Sequence, residues 1–248
     1  MLCGAFPSPL YRKGEACMKL RNPFQNLTRF ELTLWISSMV VITLAFFLGG
    51  RMGILSYLAS MFGVTALIFV ARGDVIGQFL IVIFALLYAF VSWQEHYYGE
   101  MLTYVCMSAP AAVIAIISWM RHPYKEDHSE VEVNRIVGKE WIFLCFLTAV
   151  VTTVFYFVLG YFGTAQLVVS TISVATSFFA SYLTFRRSPY YALAYTANDV
   201  VLIVLWVISS LKDLSYLSMV ACFCMFLFND LYGFFNWLRI EKRQAMEK

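Results

Sequence analysis

Charge is scarce in this chain: only 13% of its 248 residues are Asp, Glu, Lys or Arg, against about 25% in an ordinary soluble domain. Histidine is scarcer, with three copies, His96, His122 and His128, all between apolar runs. Lysine is missing from the interior of every long apolar stretch, which excludes a retinal Schiff base. No CxxC, GxSxG, P-loop or HExxH occurs, so the common metal, hydrolase and nucleotide signatures are absent. No Arg ladder marks a voltage sensor. With a net charge of +3, no nucleic-acid footprint is indicated. No cofactor is expected.

Hydrophobic residues make up 61% of the chain, and mean hydropathy is +0.73. That much apolar surface does not fit inside one core, so a membrane-embedded chain is expected. Cys3, Cys17, Cys106, Cys145, Cys222 and Cys224 read as free thiols acting as small hydrophobes. Residues 1–31 lack an uninterrupted apolar core and are broken by Pro7, Pro9 and Pro23, so they read as a tail, not a signal peptide.

A spanning helix needs about 20 mostly apolar residues. Eight windows qualify: 32–49, 53–71, 75–93, 101–120, 140–160, 164–185, 190–211 and 215–238. The connections are short except 121–139, which is charged and reads as a solvated loop; 239–248 is a second tail. With both ends inside, every Lys and Arg except Arg51 and Lys212 falls on the inner side, as the positive-inside rule requires. The fold expected is all-α, with eight membrane helices and cytoplasmic termini.

An internal repeat is visible. Ser118-Trp119-Met120-Arg121 ends the fourth span and Asn236-Trp237-Leu238-Arg239 the eighth; Arg72 closes the second and Arg186-Arg187 the sixth. Spans 2–4 and 6–8 are read as two three-helix units pointing the same way. Span 5 is the linker and span 1 an addition. Parallel repeats about an axis along the membrane normal are a transporter signature. The competing explanation is that Trp-x-Arg is simply a good interfacial anchor.

Ionisable groups at membrane depth are costly, about 2.5–3.5 kcal/mol or more each, and mark functional sites. Two stand out, in Asn198-Asp199 and Asn229-Asp230. Helical spacing groups Tyr195, Asp199 and Trp206 on span 7, Asn229, Tyr232 and Asn236 on span 8, and Gln78, Tyr88 and Ser92 on span 3. Span 6 has a stripe of Gln166, Ser170, Ser173, Ser177, Ser181 and Thr184. Such a stripe serves close helix packing as readily as it lines a path. Together these residues suggest a cavity for a neutral or cationic polar ligand with an aromatic ring. The candidate binding residues are Gln78, Tyr88, Gln166, Tyr195, Asn198, Asp199, Trp206, Asn229 and Tyr232. Pro110 in span 4 permits a kink or hinge.

The run Asn229-Asp230-Leu231-Tyr232-Gly233-Phe234-Phe235-Asn236-Trp237-Leu238-Arg239 resembles the C-terminal motif of the PnuC family of bacterial nicotinamide riboside transporters. Residues 94–119 and the span bearing Asn198 are similar to that family as well. The layout, two triple-helix units around a linker, is like that of the SWEETs. The similarity covers about residues 30–243; Ile114-Ala115-Ile116-Ile117-Ser118-Trp119 departs from the Tyr-Gly-Trp-Tyr-like stretch of relatives. The resemblance implies uptake of nicotinamide riboside, a precursor of NAD, across a bacterial inner membrane. It further implies facilitated diffusion with trapping by a cytoplasmic riboside kinase, and a homotrimer in the lipid bilayer. Trp206, Tyr195 and Tyr232 would stack on the cationic ring, worth about 0.5–2 kcal/mol. Asn198, Asn229 and Gln78 would pair with carboxamide and ribose, and Asp199 would balance the charge. Two rivals remain: a proton-coupled carrier of another vitamin or nucleoside such as thiamine, using Asp199 or Asp230, and a signalling or enzymatic membrane protein with a partner on the 121–139 loop.

Overall fold

The computed structural model describes residues 23–48, 54–94, 98–125, 128–164, 166–211 and 217–247. Eight helices in it are long and apolar enough to cross a membrane. They are α1 (Arg29–Leu48), α2 (Ile54–Ala71), α3 (Val75–Gln94), α4 (Tyr98–Arg121), α5 (Gly138–Tyr161), α6 (Leu167–Phe185), α7 (Tyr190–Ser210) and α8 (Leu217–Met246). Among the described residues there is no strand, and the pairing of Pro123 with Val131 is an isolated bridge. The chain is an all-helical, multi-pass membrane protein. Cys3, Cys17, Arg51, His96 and Lys212 lie outside the described residues; Cys106, Cys145, Cys222 and Cys224 are free.

Local chemistry sets the boundaries. Helix α1 begins with a reciprocal cap: Thr28 N–H donates to Glu31 Oε2 at 2.7 Å, and Glu31 N–H to Thr28 Oγ1 at 3.2 Å. Helix α4 is not regular throughout. Tyr104–Ser108 widens into a π-turn, directly before Pro110. Proline supplies no N–H and its ring crowds the carbonyl four residues back, here Cys106, so the helix loosens there. The kink expected at Pro110 is therefore a π-turn just upstream of it. Helix α8 has 30 residues, roughly 45 Å at 1.5 Å per residue. That exceeds a hydrocarbon core of about 30 Å, so its last turns project beyond.

Contacts between the helices follow a twofold pattern. Helix α2 packs on α3 and on α8, and α6 packs on α7 and on α4. The bonds that make the crossings recur one repeat later. Ser118 Oγ donates to Phe185 O at 2.7 Å and Trp119 Nε1 to Thr184 O at 2.9 Å. Asn236 Nδ2 donates to Ala71 O at 2.9 Å and Trp237 Nε1 to Val70 O at 2.9 Å. The two indoles meet, ring centroids 5.5 Å apart, and both are fully buried. The turns after α2 and α6 match as well: Gly73 and Arg187 both adopt positive φ, 72° and 59°. The Trp-x-Arg ends are thus more than interfacial anchors; their indoles tie one unit to the other.

Helix α1 lies against α2 and α8, and α5 against α6. Each is held at the same end by an ion pair, Glu31 with Arg72 at 2.9 Å and Glu140 with Arg186. Helix α5 leaves Ile142, Phe143, Phe146 and Phe157 exposed, an apolar face suited to lipid, not water.

The 121–139 segment is not a solvated loop. Val131 is 1% exposed, and its N–H donates to Gly73 O at 2.9 Å. Gln244 on the projecting end of α8 reaches it three times: Nε2 donates to Glu130 Oε1 at 2.9 Å and Val131 O at 3.0 Å, and Oε1 accepts from Val133 N–H at 2.9 Å. Arg243 and Lys125 pair with Glu130. The segment's charges bind one another and the last turns of α8, a partner that its composition does not reveal.

Candidate functional site

A cavity of about 80 Å³ lies between the two units. From α3 it receives Gln78 and Phe84, from α4 Tyr104, from α6 Ser177, Ser181 and Thr184, from α7 Tyr191, Tyr195 and Asp199, and from α8 Phe223, Phe226 and Asp230. Gln78, Asp199 and Asp230 are each 3–4% exposed. Among the described residues no Lys or Arg lines the cavity.

Both of its carboxyls and most of its hydroxyls come from one half. Asp199 and Asp230 are close enough to interact, and Asp199 Oδ2 has no hydrogen-bond partner among the described residues. Two adjacent buried carboxyls need a counter-charge, either a shared proton or a cationic ligand. The Tyr195 hydroxyl sits 3.2 Å from Ser181 Oγ. Across the cavity, Ala85, Ala111 and Ala112 supply a smooth apolar wall, which suits the flat face of a ring.

Bonded and aromatic residues pack at both ends of the cavity. At the tryptophan end, Val70 O accepts from Trp237 Nε1 and also from the Tyr191 hydroxyl at 3.2 Å. At the other end the rings of Tyr88 and Tyr104 lie 4.4 Å apart, with Phe84, Phe223 and Phe226 packed around them. Gly63 permits this packing, since a Cβ there would lie 2.5 Å from Phe226 Cζ.

Of the nine candidates from the sequence, Gln78, Tyr195 and Asp199 line the cavity. Asn198 stands just behind its wall. Its Oδ1 accepts from Ser173 Oγ at 3.2 Å, Thr176 Oγ1 at 2.8 Å and Ser177 Oγ at 3.0 Å, so it ties α7 to α6. Tyr88 and Trp206 belong to the aromatic partition, the hydroxyl of one beside the indole of the other. The Asn229–Tyr232 face turns away from the cavity, because α1 covers it. Asn229 Nδ2 donates to Ser38 Oγ at 3.1 Å, and the Tyr232 hydroxyl to Glu31 Oε1 at 2.8 Å. Gln166 precedes α6 in a left-handed conformation, φ 57°, and lines a second cavity at the opposite end from the tryptophans.

Sequence reasoning left several lining groups out of the candidate set. Asp230 was visible as a buried charge. Tyr191 flanks the Tyr195–Asp199 face by helical spacing, and Tyr104 gave no signal beyond aromaticity. Among the described residues, no group of three or more His, Cys, Asp or Glu could hold a metal ion.

Comparison with known proteins gives consistent results. A family model described as nicotinamide mononucleotide transporter matches residues 53–239. The nicotinamide riboside transporter PnuC of Neisseria mucosa is 24% identical over 229 residues, covering 91% of this chain and 87% of the relative. The protein of the same name from Haemophilus influenzae is 24% identical over 215 residues, covering 86% and 92%. The crystal structure of the vitamin B3 transporter PnuC superposes with a TM-score of 0.77 and 23% identity, over 88% of this chain and 94% of that one.

Proposed function

We infer the function of this chain from the family to which it belongs, the nicotinamide mononucleotide transporters. It is a membrane transporter and not an enzyme. Its substrate is nicotinamide riboside, and the cavity between the two units is where the riboside binds. The observation that supports the riboside over the mononucleotide is the cavity's charge. Two buried carboxyls line it and, among the described residues, no basic side chain does. A cationic nicotinamide ring supplies the counter-charge the carboxyls need, whereas a phosphate would meet repulsion with nothing to neutralise it.

The ring lies against the alanine wall with Asp199 and Asp230 opposite, and Gln78 and Tyr195 are within the same space for carboxamide and ribose. A cavity of about 80 Å³ is well below the roughly 300 Å³ of a small-molecule pocket. The riboside therefore enters only when the units move apart, by rocking about the Trp119–Trp237 contact. Transport is facilitated diffusion, with phosphorylation by a riboside kinase supplying direction. The positive charge is cytoplasmic, at the tryptophan end, in a bacterial inner membrane, and the functional unit is a homotrimer.

A proton-coupled carrier is the second reading, favoured by the closeness of the two aspartates; in vesicles without a kinase, abolishing the proton gradient would stop uptake. The substrate is tested by calorimetric titration of detergent-solubilised protein with the riboside, the mononucleotide, nicotinamide and thiamine. Selective binding of the riboside is expected. Tighter binding of thiamine or the mononucleotide would contradict the assignment.

A further inference from the structure

The second cavity, about 220 Å³, lies at the end opposite the tryptophans, between the starts of α4 and α6 and the end of α7. Glu100, Thr164, Gln166, Ser170 and Ser209 line it. Glu100 is only 6% exposed. The buried glutamates Glu31 and Glu130 are bonded to basic and polar side chains, but Glu100 has no side-chain hydrogen bond or ion pair to any of the described residues. A lone buried carboxylate is expensive unless something outside the chain completes it.

The cavity also leads somewhere. Glu100 is within electrostatic reach of Tyr88 and Tyr104, the two rings packed at this end of the central cavity. Helix α6 lines both spaces, through Gln166 and Ser170 in one and Ser177 and Ser181 in the other. Ser170 and Ser177 are about 10 Å apart along the helix. Between them Ser173 holds Asn198.

We propose that this cavity is a vestibular subsite for a small organic cation, in which Glu100 receives the nicotinamide ring before it passes the Tyr88–Tyr104 partition. The subsite rests on the riboside reading of the central cavity and extends it. Its role is capture: one carboxylate raises the local concentration of a cation and leaves the later steps alone.

The test measures initial uptake into proteoliposomes of two substrates, nicotinamide riboside, whose ring is cationic, and its dihydro form, whose ring is neutral. Glu100→Gln is expected to raise KM for the cationic riboside on the order of tenfold, the size of one partly screened charge contact. Its kcat stays within about twofold, and the dihydro compound is unaffected. Glu100→Asp restores most of the loss. Equal KM in wild type and Glu100→Gln, or an equal loss for both substrates, overturns the subsite. Failure of the wild type to transport the riboside would instead overturn the underlying assignment.

Discussion

Asp199 and Asp230 are the residues whose removal separates charge from shape. Asp199→Asn keeps the volume and deletes one carboxylate facing the ligand. It is expected to weaken riboside binding on the order of tenfold or more, because a buried charge contact is worth more than a surface one. Asp230→Asn should behave alike, and the double variant should lose less than the sum, since the two groups share one environment. Calorimetry of the three variants checks this; wild-type affinity in Asp199→Asn would remove it from the site. Tyr195→Phe deletes the hydroxyl beside Ser181 and should cost about 1 kcal/mol of binding. At this scale the sequence was informative about chemistry and silent about direction. A charge at membrane depth is visible in any sequence, so both aspartates stood out. Which way Asn229 and Tyr232 point depends on where α1 lies, and helical spacing shows which residues share a face, never which helix that face meets. The one local hint was Thr28 followed by Glu31, a capping pattern placing a carboxylate where Tyr232 and Arg72 reach it.

The elements owe their close fit to small residues. Gly77 brings α3 onto α2: a Cβ there would lie 2.5 Å from Val70 N and 3.0 Å from Ala66 O. Both neighbours are backbone and cannot rotate aside, so Gly77→Ala should destabilise by about 1–3 kcal/mol, read as a lower melting temperature in detergent. Gly73 differs in cause. Its φ of 72° and the approach of an added Cβ to within 3.3 Å of Val131 Cγ1 make Gly73→Ala costly through backbone strain and by crowding the docked 121–139 segment. That segment also has a pH signature. Burial pushes Glu130 up, but the bonds from Gln244 and Arg243 and the nearby Lys125 outweigh it and hold its pKa below 4.5. A carboxyl depressed on docking stabilises the docked state above its free value, and the stabilisation fades as pH falls below about 4.5. Limited proteolysis should therefore cut 121–139 faster in acid, and Glu130→Gln should flatten that dependence. The helices themselves were legible, since apolar length needs no partner to be read. The docking of 121–139 was not, because its charges resemble those of a solvated loop until Gln244 is in place.

At the level of the whole molecule, two units share a cavity but not its chemistry. The indole pair, the carbonyls of Val70 and Thr184 and the paired turns repeat faithfully, so the hinge is symmetric. The acidic residues do not repeat: Asp199 and Asp230 belong to the second unit, while Ala85 and Ala112 face them from the first. On the proposed mechanism, symmetry would serve a rocking motion and asymmetry would orient the ligand. The repeat could be read from Trp119 and Trp237 alone, because both end an apolar helix with the same spacing to a basic residue. The ring packing at the ends of the cavity could not, since it depends on rings brought together from four helices. Trp119→Phe and Trp237→Phe each delete one bond to a backbone carbonyl of the other unit and should change the transport rate by similar factors. Unequal effects would mean that the hinge is not shared.

The most direct test is the uptake of labelled nicotinamide riboside into proteoliposomes holding the purified protein and no kinase, with and without a proton gradient. Facilitated diffusion through the central cavity predicts that internal riboside rises to the external concentration and stops there, at the same rate in both conditions. Accumulation above the external concentration driven by the gradient, or no uptake while thiamine enters, would contradict it.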